Sequence, residues 1–170
     1  IESEAGVGSS FHFTIPVKLP FHNETTSATE VTWPAALAVD LTRTRVLLVE
    51  DDADMQYLGK RFLDEYGITS DVATNGEEAL EKLQNAEFDM ILMDIQMPRM
   101  DGLEATRMIR SGEYPGVNRE IPIVAMTAHA MRGDRERFLA AGMNDYIAKP
   151  IDEADLVALL RSYTPRKLGD

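Results

Sequence analysis

Short apolar segments alternate with amphipathic segments along most of the chain, beginning near residue 45. Several of the apolar segments are apolar at every position, as in a strand that is buried on both faces. The predicted strands are 46–49, 69–73, 90–93, 121–126 and 145–148. Each is followed by residues that repeat at helical spacing, in 55–66, after Asn75-Gly76, in 103–110, in 131–141 and after Asp152. This alternation of strand and helix predicts an α/β fold, a parallel sheet with helices on both faces.

The first 43 residues follow a different pattern. Between Phe11 and Val17, apolar residues alternate with His, Thr and Pro, which predicts one strand, and the Gly/Ser segment 6–10 predicts a turn before it. The segment 20–43 is rich in Asn, Thr, Ser and Glu and has the composition of a linker. A single strand cannot fold alone, so we expect it to be disordered or to pair with a neighbouring surface.

The expected organisation therefore has four parts. Residues 1–19 contain the end of a neighbouring domain, 20–43 form a linker, 44–164 form one folded domain, and 165–170 form a tail. The sequence lacks an initiator Met, and we expect it to be a piece of a longer protein. Its acidic start does not fit the basic n-region of a signal peptide.

Composition excludes several classes of function. The 170 residues include 17 Lys+Arg and 29 Asp+Glu, a formal net charge of −12. This charge repels phosphate backbones and anionic membranes, so we expect this piece to bind neither. Cys is absent, which excludes disulfides, thiolate metal sites and a Cys nucleophile and fits a cytoplasmic location. No apolar run approaches the ~18 residues of a membrane span, although the parent protein could be anchored in a membrane.

Polar side chains follow the predicted strands at the points where the strands end. Glu50 and Asp51 follow the first strand, Asp94 the third, Thr127 the fourth and Lys149 the fifth. The carboxyl ends of parallel strands meet at one edge of the sheet, where α/β proteins bind their ligands. Clustered carboxylates raise one another's pKa unless a cation lies among them, and Mg²⁺ prefers oxygen ligands. We therefore expect a magnesium site at this edge.

Four separate strings resemble those of one family. They are LLVEDDADM, DMILMDIQMPRMDG, IVAMTAHAM and DYIAKPI, and they occur in the order and spacing of the receiver domain of two-component response regulators. The resemblance covers roughly residues 44 to 163. It implies a flavodoxin-like, doubly wound, five-stranded parallel sheet, the CheY-like (βα)5 receiver fold.

The resemblance also implies a phosphorylation chemistry. Asp94 would be the nucleophile that accepts a phosphoryl group from a phosphohistidine of a histidine kinase. Mg²⁺ would be held by Asp51, by Asp94, by Glu50 through water and by the backbone carbonyl of Gln96. The fragment would then catalyse only its own phosphorylation and dephosphorylation, since water can also attack the acyl phosphate.

Further residues are expected to bind the phosphoryl group and to report its presence. Lys149, the Thr127 hydroxyl and the Ala128 N–H would contact phosphoryl oxygens. The peptide bond before Pro150 is typically cis in the family and helps to aim the lysine. Thr127 and Tyr146, three residues before Lys149, would form a conformational switch. A half-buried structural tyrosine is the competing interpretation of Tyr146.

Two local alternatives concern neighbouring residues. Glu50, Asp51 and Asp52 are consecutive and cannot all face one ion. The family pattern selects Glu50 and Asp51 and leaves Asp52 to begin a helix, whereas Asp51 with Asp52 is the other possibility. His129 lacks the surroundings of a phosphodonor histidine and is interpreted as a surface residue beside the site.

The N-terminal string SEAGVGSSFHFTIPV resembles the last strand of the ATP-binding domain of sensor histidine kinases. Followed by a linker and a receiver, it implies a hybrid histidine kinase, a phosphotransferase. The expected function is a phosphorelay from the kinase histidine to Asp94 and on to a histidine phosphotransfer protein. A stand-alone output switch is one alternative. A Mg²⁺-dependent phosphohydrolase is another, disfavoured because such enzymes have an Asp where this chain has Gln96.

Overall fold

The computed structural model describes residues 2–4, 8–10, 41–128 and 133–163. The chain divides into two compact units, residues 1–38 and 39–170. The predicted strand at 11–17, nearly all of the predicted linker and the tail at 165–170 lie outside the described residues, as do His129 and the predicted start of the fourth helix.

The first unit contains a short antiparallel pair of strands. Strand β1 (Glu2–Glu4) pairs with β2 (Gly8–Ser10) in a register that places Ser3 opposite Ser9. The prediction of a turn over 6–10 is therefore wrong for residues 8–10. Gly and Ser favour turns by composition, but strand propensity depends on context, and here the backbone pairs with the preceding acidic segment.

The second unit is a five-stranded parallel sheet with five helices, which confirms the predicted flavodoxin-like fold. The strands lie in the order β4-β3-β5-β6-β7. The elements, in chain order, are β3 (Arg45–Val49), α1 (Ala53–Glu65), β4 (Thr69–Ala73), α2 (Gly76–Asn85), β5 (Met90–Asp94), α3 (Gly102–Ser111), β6 (Ile123–Thr127), α4 (Asp134–Ala141), β7 (Asp145–Ala148) and α5 (Glu153–Tyr163).

The sheet is buried on both faces, which explains why its central strands are apolar at every position. One face of the sheet packs on α2, α3 and α4, and the other packs on α1 and α5. Successive residues of β3 show the division, since Leu47 belongs to the first cluster and Leu48 to the second. Alternate side chains of a strand point to opposite faces, so both clusters require apolar residues.

The strand order places a crevice beside β3. Strand β4 lies on one side of β3 and β5 on the other, so the chain reverses its direction of winding there. Val49 pairs with Met93, and the next residues along the two strands are Glu50 and Asp94. Ligands of doubly wound folds bind in this crevice, outside the carboxyl ends of the strands.

One predicted boundary differs from the structure, and a second falls on residues outside the described ranges. Strand β6 begins at Ile123 and not at residue 121, because Pro122 has no N–H to donate to a ladder. The described part of the fourth helix, α4, begins at Asp134, and the predicted start at residue 131 lies outside the described residues. Gly133 precedes Asp134 with φ +125°, outside the helical region.

Candidate functional site

Three carboxylates lie together at the carboxyl edge of the sheet. Each of Glu50, Asp51 and Asp94 offers an oxygen, and these oxygens lie within 4.8 Å of one another. Glu50 and Asp94 are only 2% and 6% exposed, whereas Asp51 is exposed. The structure thus brings together the acidic residues that the sequence places after the first and third strands of the sheet.

Lys149 lies between the two buried carboxylates. Its Nζ is 2.6 Å from Glu50 Oε2 and 2.8 Å from Asp94 Oδ2. Its backbone N–H donates to the Thr127 carbonyl at 2.7 Å, and the Lys149–Pro150 peptide bond is cis, as the resemblance implies. One ammonium group therefore compensates two carboxylates at the end of β7.

The shared lysine leaves the cluster short of positive charge. Burial raises the pKa of Glu50 above its usual value, the Asp94 charge raises it further, and Lys149 opposes both. For Lys149, burial lowers the pKa, but hydrogen bonds to Asp94 and Glu50 outweigh it, so the pKa is raised overall. Both pKa shifts indicate that negative charge exceeds positive charge at this site, so a further cation would stabilise the charged carboxylates.

Asp52 has a different task from its two acidic neighbours. Its side chain accepts hydrogen bonds from the Asp54 N–H at 2.9 Å and the Met55 N–H at 3.0 Å. Asp52 is therefore the N-cap of α1, as predicted. The metal-ligand candidates that remain at this position are Glu50 and Asp51.

The turn after β5 fixes the backbone of Asp94. The Gln96 N–H donates to Asp94 Oδ1 at 3.2 Å, and the Gly102 N–H donates to the Ile95 carbonyl at 3.1 Å. A Cβ at Gly102 would lie 2.1 Å from the Asp94 carbonyl oxygen. Sequence reasoning did not assign Gly102 to the site, although the Asp101-Gly102 dipeptide signals a tight turn.

A cleft of about 610 Å³ opens beside the carboxylates, between the β5–α3 loop and α4. Thr127, which is 8% exposed, lines this cleft, and Ala128 follows it in an exposed position. Among the described residues, the lining is formed by Asp51, Ile95, Gln96, Met97, Pro98, Asp101, Thr127, Asp134, Arg137 and Phe138. Sequence reasoning missed Arg137, because nothing in its local string distinguishes it from other helix-surface arginines.

Tyr146 is a neighbour of Phe138, which lines this cleft. The two rings are 6.2 Å apart between centroids and are tilted by 51°. Tyr146 is half-buried against the cluster on the α2–α3–α4 face. These contacts fit the structural interpretation of Tyr146, and its role as a switch stays a prediction.

The protein-family model described as the response regulator receiver domain matches residues 46–161 of this chain. Among curated relatives, the Autoinducer 2 sensor kinase/phosphatase LuxQ of Vibrio vulnificus is 38% identical over 156 residues. That match covers 92% of this chain but 17% of LuxQ, so the chain spans about a sixth of this relative's length. The match extends into the segment before residue 44.

Two solved structures are similar to the second unit. The receiver domain of the sensor histidine kinase PA1611 of Pseudomonas aeruginosa, with a magnesium ion coordinated in its active site cleft, has a TM-score of 0.64 at 40% identity, over 71% of this chain and 97% of that chain. The receiver domain of Ssk1 in complex with the histidine phosphotransfer protein Ypd1, from Saccharomyces cerevisiae, has a TM-score of 0.65 at 30% identity, over 71% and 88%. No helix within the described ranges is long and apolar enough to cross a membrane.

Proposed function

The chain belongs to the response regulator receiver domain family, and from that premise we propose that Asp94 is the phosphoacceptor of a phosphorelay. It would receive a phosphoryl group from a histidine kinase and pass it to a histidine phosphotransfer protein. The observation that carries the proposal is the contact of Lys149 with both Asp94 and Glu50, beside a cleft that Asp51 and Thr127 line.

The transfer is a displacement at phosphorus. An Asp94 carboxylate oxygen attacks the phosphorus of phosphohistidine, so that the O–P bond forms as the N–P bond breaks. The imidazole nitrogen keeps the electron pair of the broken bond and takes up a proton. The resulting acyl phosphate is then attacked by an imidazole of the phosphotransfer protein, or by water, which releases inorganic phosphate and restores the carboxylate.

The residues around Asp94 suit a magnesium ion. Three carboxylates with oxygens within 4.8 Å match the oxygen ligands that Mg²⁺ prefers, and we assign Asp51, Asp94, Glu50 through water and the Gln96 carbonyl to it. When bound, the ion neutralises negative charge where the anionic phosphoryl group meets the carboxylates.

Lys149, Thr127 and Ala128 would hold the transferred group. Lys149 already contacts Asp94 Oδ2, and its ammonium can follow the negative charge from the carboxylate to a phosphoryl oxygen. The Thr127 hydroxyl and the Ala128 N–H would donate to the other oxygens. Movement of Thr127, coupled to Tyr146, would then report phosphorylation to the surface of the domain.

We place this receiver in a hybrid histidine kinase, with residues 1–19 as the end of the ATP-binding domain. The similarity to LuxQ across 92% of the chain supports this arrangement, and so does the kinase origin of the PA1611 receiver. The Ssk1–Ypd1 complex supports a histidine phosphotransfer protein as the partner.

The test is phosphorylation by a small donor. The chain is incubated with Mg²⁺ and acetyl phosphate, and intact mass should show one added phosphoryl group. Asp94→Asn should show none. Asp52→Asn is the matched control, because Asn caps a helix as well as Asp, and it should be phosphorylated like the parent. An unmodified parent, or an undiminished adduct on Asp94→Asn, would contradict the proposal.

A further inference from the structure

The described residues that line the cleft beside Asp94 carry more negative than positive charge. They include three carboxylates, those of Asp51, Asp101 and Asp134, and one basic residue, Arg137. Lys149 does not line the cleft and is already held by two carboxylates. An anionic phosphodonor that enters this cleft therefore meets mostly negative charge.

Arg137 is placed where it can offset this repulsion. Asp134, Arg137 and Phe138 lie at i, i+3 and i+4 of α4 and so share one face of the helix, the face that borders the cleft. Phe138 is 3% exposed and anchors this face to the core. The Arg137 side chain is exposed, and among the described residues no carboxylate lies within 4.0 Å of its guanidinium group.

Arg110 uses its guanidinium group for structural hydrogen bonds, whereas the guanidinium group of Arg137 is available to a ligand. Arg110 donates to the carbonyls of Gly142 and Arg119 and to the Asn144 side chain. Arg137 has no comparable set of acceptors among the hydrogen bonds of the described residues. A planar guanidinium group with available donors matches the oxygens of a phosphoryl group in both charge and geometry.

We propose that Arg137 binds the anionic phosphoryl group of the phosphodonor as it enters the cleft that leads to Asp94. This inference rests on the proposed function, because it assigns Arg137 to the delivery of the group that Asp94 accepts. Arg137 would act on the incoming donor, while Lys149 acts at the acceptor. Since the interaction is electrostatic and exposed, it should weaken as salt is added.

The experiment measures the second-order rate constant of phosphorylation at saturating Mg²⁺. Three donors are used, namely acetyl phosphate, phosphoramidate and monophosphoimidazole, which share a phosphoryl group and differ in the leaving group. Arg137→Gln should lower the rate constant roughly 3- to 10-fold with every donor at low ionic strength, and less at high ionic strength. Arg137→Lys should retain most of the rate.

Arg135→Gln is the matched control. Arg135 is an exposed arginine of the same helix, but it lines a different cleft together with Tyr146 and Asp155. The Arg135→Gln substitution removes the same charge as Arg137→Gln and should leave the rate constant of phosphorylation unchanged. The rate of dephosphorylation of the phosphorylated domain should also be the same in Arg137→Gln and in the parent, because Arg137 contacts the incoming donor and not the acyl phosphate.

Several results would overturn the inference. They are an Arg137→Gln rate equal to that of the parent, an equal loss in Arg135→Gln, or an equally slowed dephosphorylation. A loss confined to acetyl phosphate would also overturn it, since Arg137 would then recognise the acyl group. If the parent accepts no phosphoryl group from any donor, the proposed function fails together with the inference. A phosphorylated parent with an unaffected Arg137→Gln refutes the inference alone.

Discussion

Gly102, the first residue of α3, controls the backbone position of Asp94, the proposed phosphoacceptor. At Gly102 a Cβ would lie 2.1 Å from the Asp94 carbonyl oxygen and 3.0 Å from Met93 Cγ. The first of these atoms belongs to the backbone and cannot rotate away. Any side chain at 102 must therefore displace the turn or the strand end that carries Asp94.

Gly102→Ala should destabilise the domain by about 2 kcal/mol and slow the phosphorylation of Asp94, because overpacking here moves the strand end. Urea unfolding and the acetyl phosphate reaction measure the two effects. Gly59→Ala is the matched control, since its Cβ would meet only the Leu48 side chain, at 3.0 Å, and this side chain can adjust. Equal phosphorylation rates in Gly102→Ala and the parent would contradict the positioning role.

Residues differ in how far the sequence predicts their part in the site. Glu50, Asp94 and Lys149 follow from strand ends and family strings, and the structure brings them within ion-pair distance. The parts that Gly102 and Arg137 play depend on contacts between residues that are separated in the sequence. Such contacts depend on how the β5–α3 loop and α4 pack, and no local pattern specifies that packing.

At the scale of elements, one arginine joins the ends of α3, α4 and β6. Arg110 donates from Nε to the Gly142 carbonyl at 2.9 Å and from Nη2 to Asn144 Oδ1 at 3.0 Å. The same Asn144 oxygen accepts from the Ile123 N–H at 2.8 Å. Gly142 has φ +99°, and its missing Cβ makes room for the arginine, since a Cβ would lie 2.9 Å from Arg110 Cγ.

Arg110→Met should lower the free energy of unfolding by about 2 kcal/mol, because acceptors of a half-buried network lose their donor. Arg107→Met is the matched control on the same helix. Arg107 is exposed, and its loss should change the free energy by less than about 0.5 kcal/mol. Denaturant unfolding of both variants checks the difference, and equal stabilities would show that the network contributes nothing.

The boundaries of elements show where sequence patterns succeed and fail. Asp52, Asn75 and Asp152 are polar residues before apolar repeats, and each accepts backbone N–H groups of the helix that it precedes. Caps are predictable because the donors and the acceptor lie within a few residues. The apolar pattern alone mispredicts the start of β6, because Ile121 is buried in the core without belonging to the strand.

At the scale of the whole molecule, the net charge of −12 and the site are connected. Most of the acidic residues that the structure describes lie on the exposed surface, but Glu50 and Asp94 are buried at a position where folding brings them to one ammonium group. The family strings predict that a cation belongs here. They do not predict that Lys149 compensates both carboxylates at once, because this depends on the packing of β3, β5 and β7.

The shortage of positive charge at this cluster leads us to predict that Mg²⁺ stabilises the folded domain. A ligand that binds the folded state alone stabilises it by about 2.7 kcal/mol when its concentration is 100 times the dissociation constant. Mg²⁺ should therefore raise the free energy of unfolding of the parent, and a chelator should reverse the gain.

Asp51→Asn should abolish most of this gain in stability, because it removes the exposed carboxylate of the cluster while leaving the contacts of Lys149 in place. Asp52→Asn should retain it, since Asp52 caps α1. Thermal unfolding across a Mg²⁺ titration checks all three proteins, and an equal gain in Asp51→Asn and the parent would place the ion elsewhere.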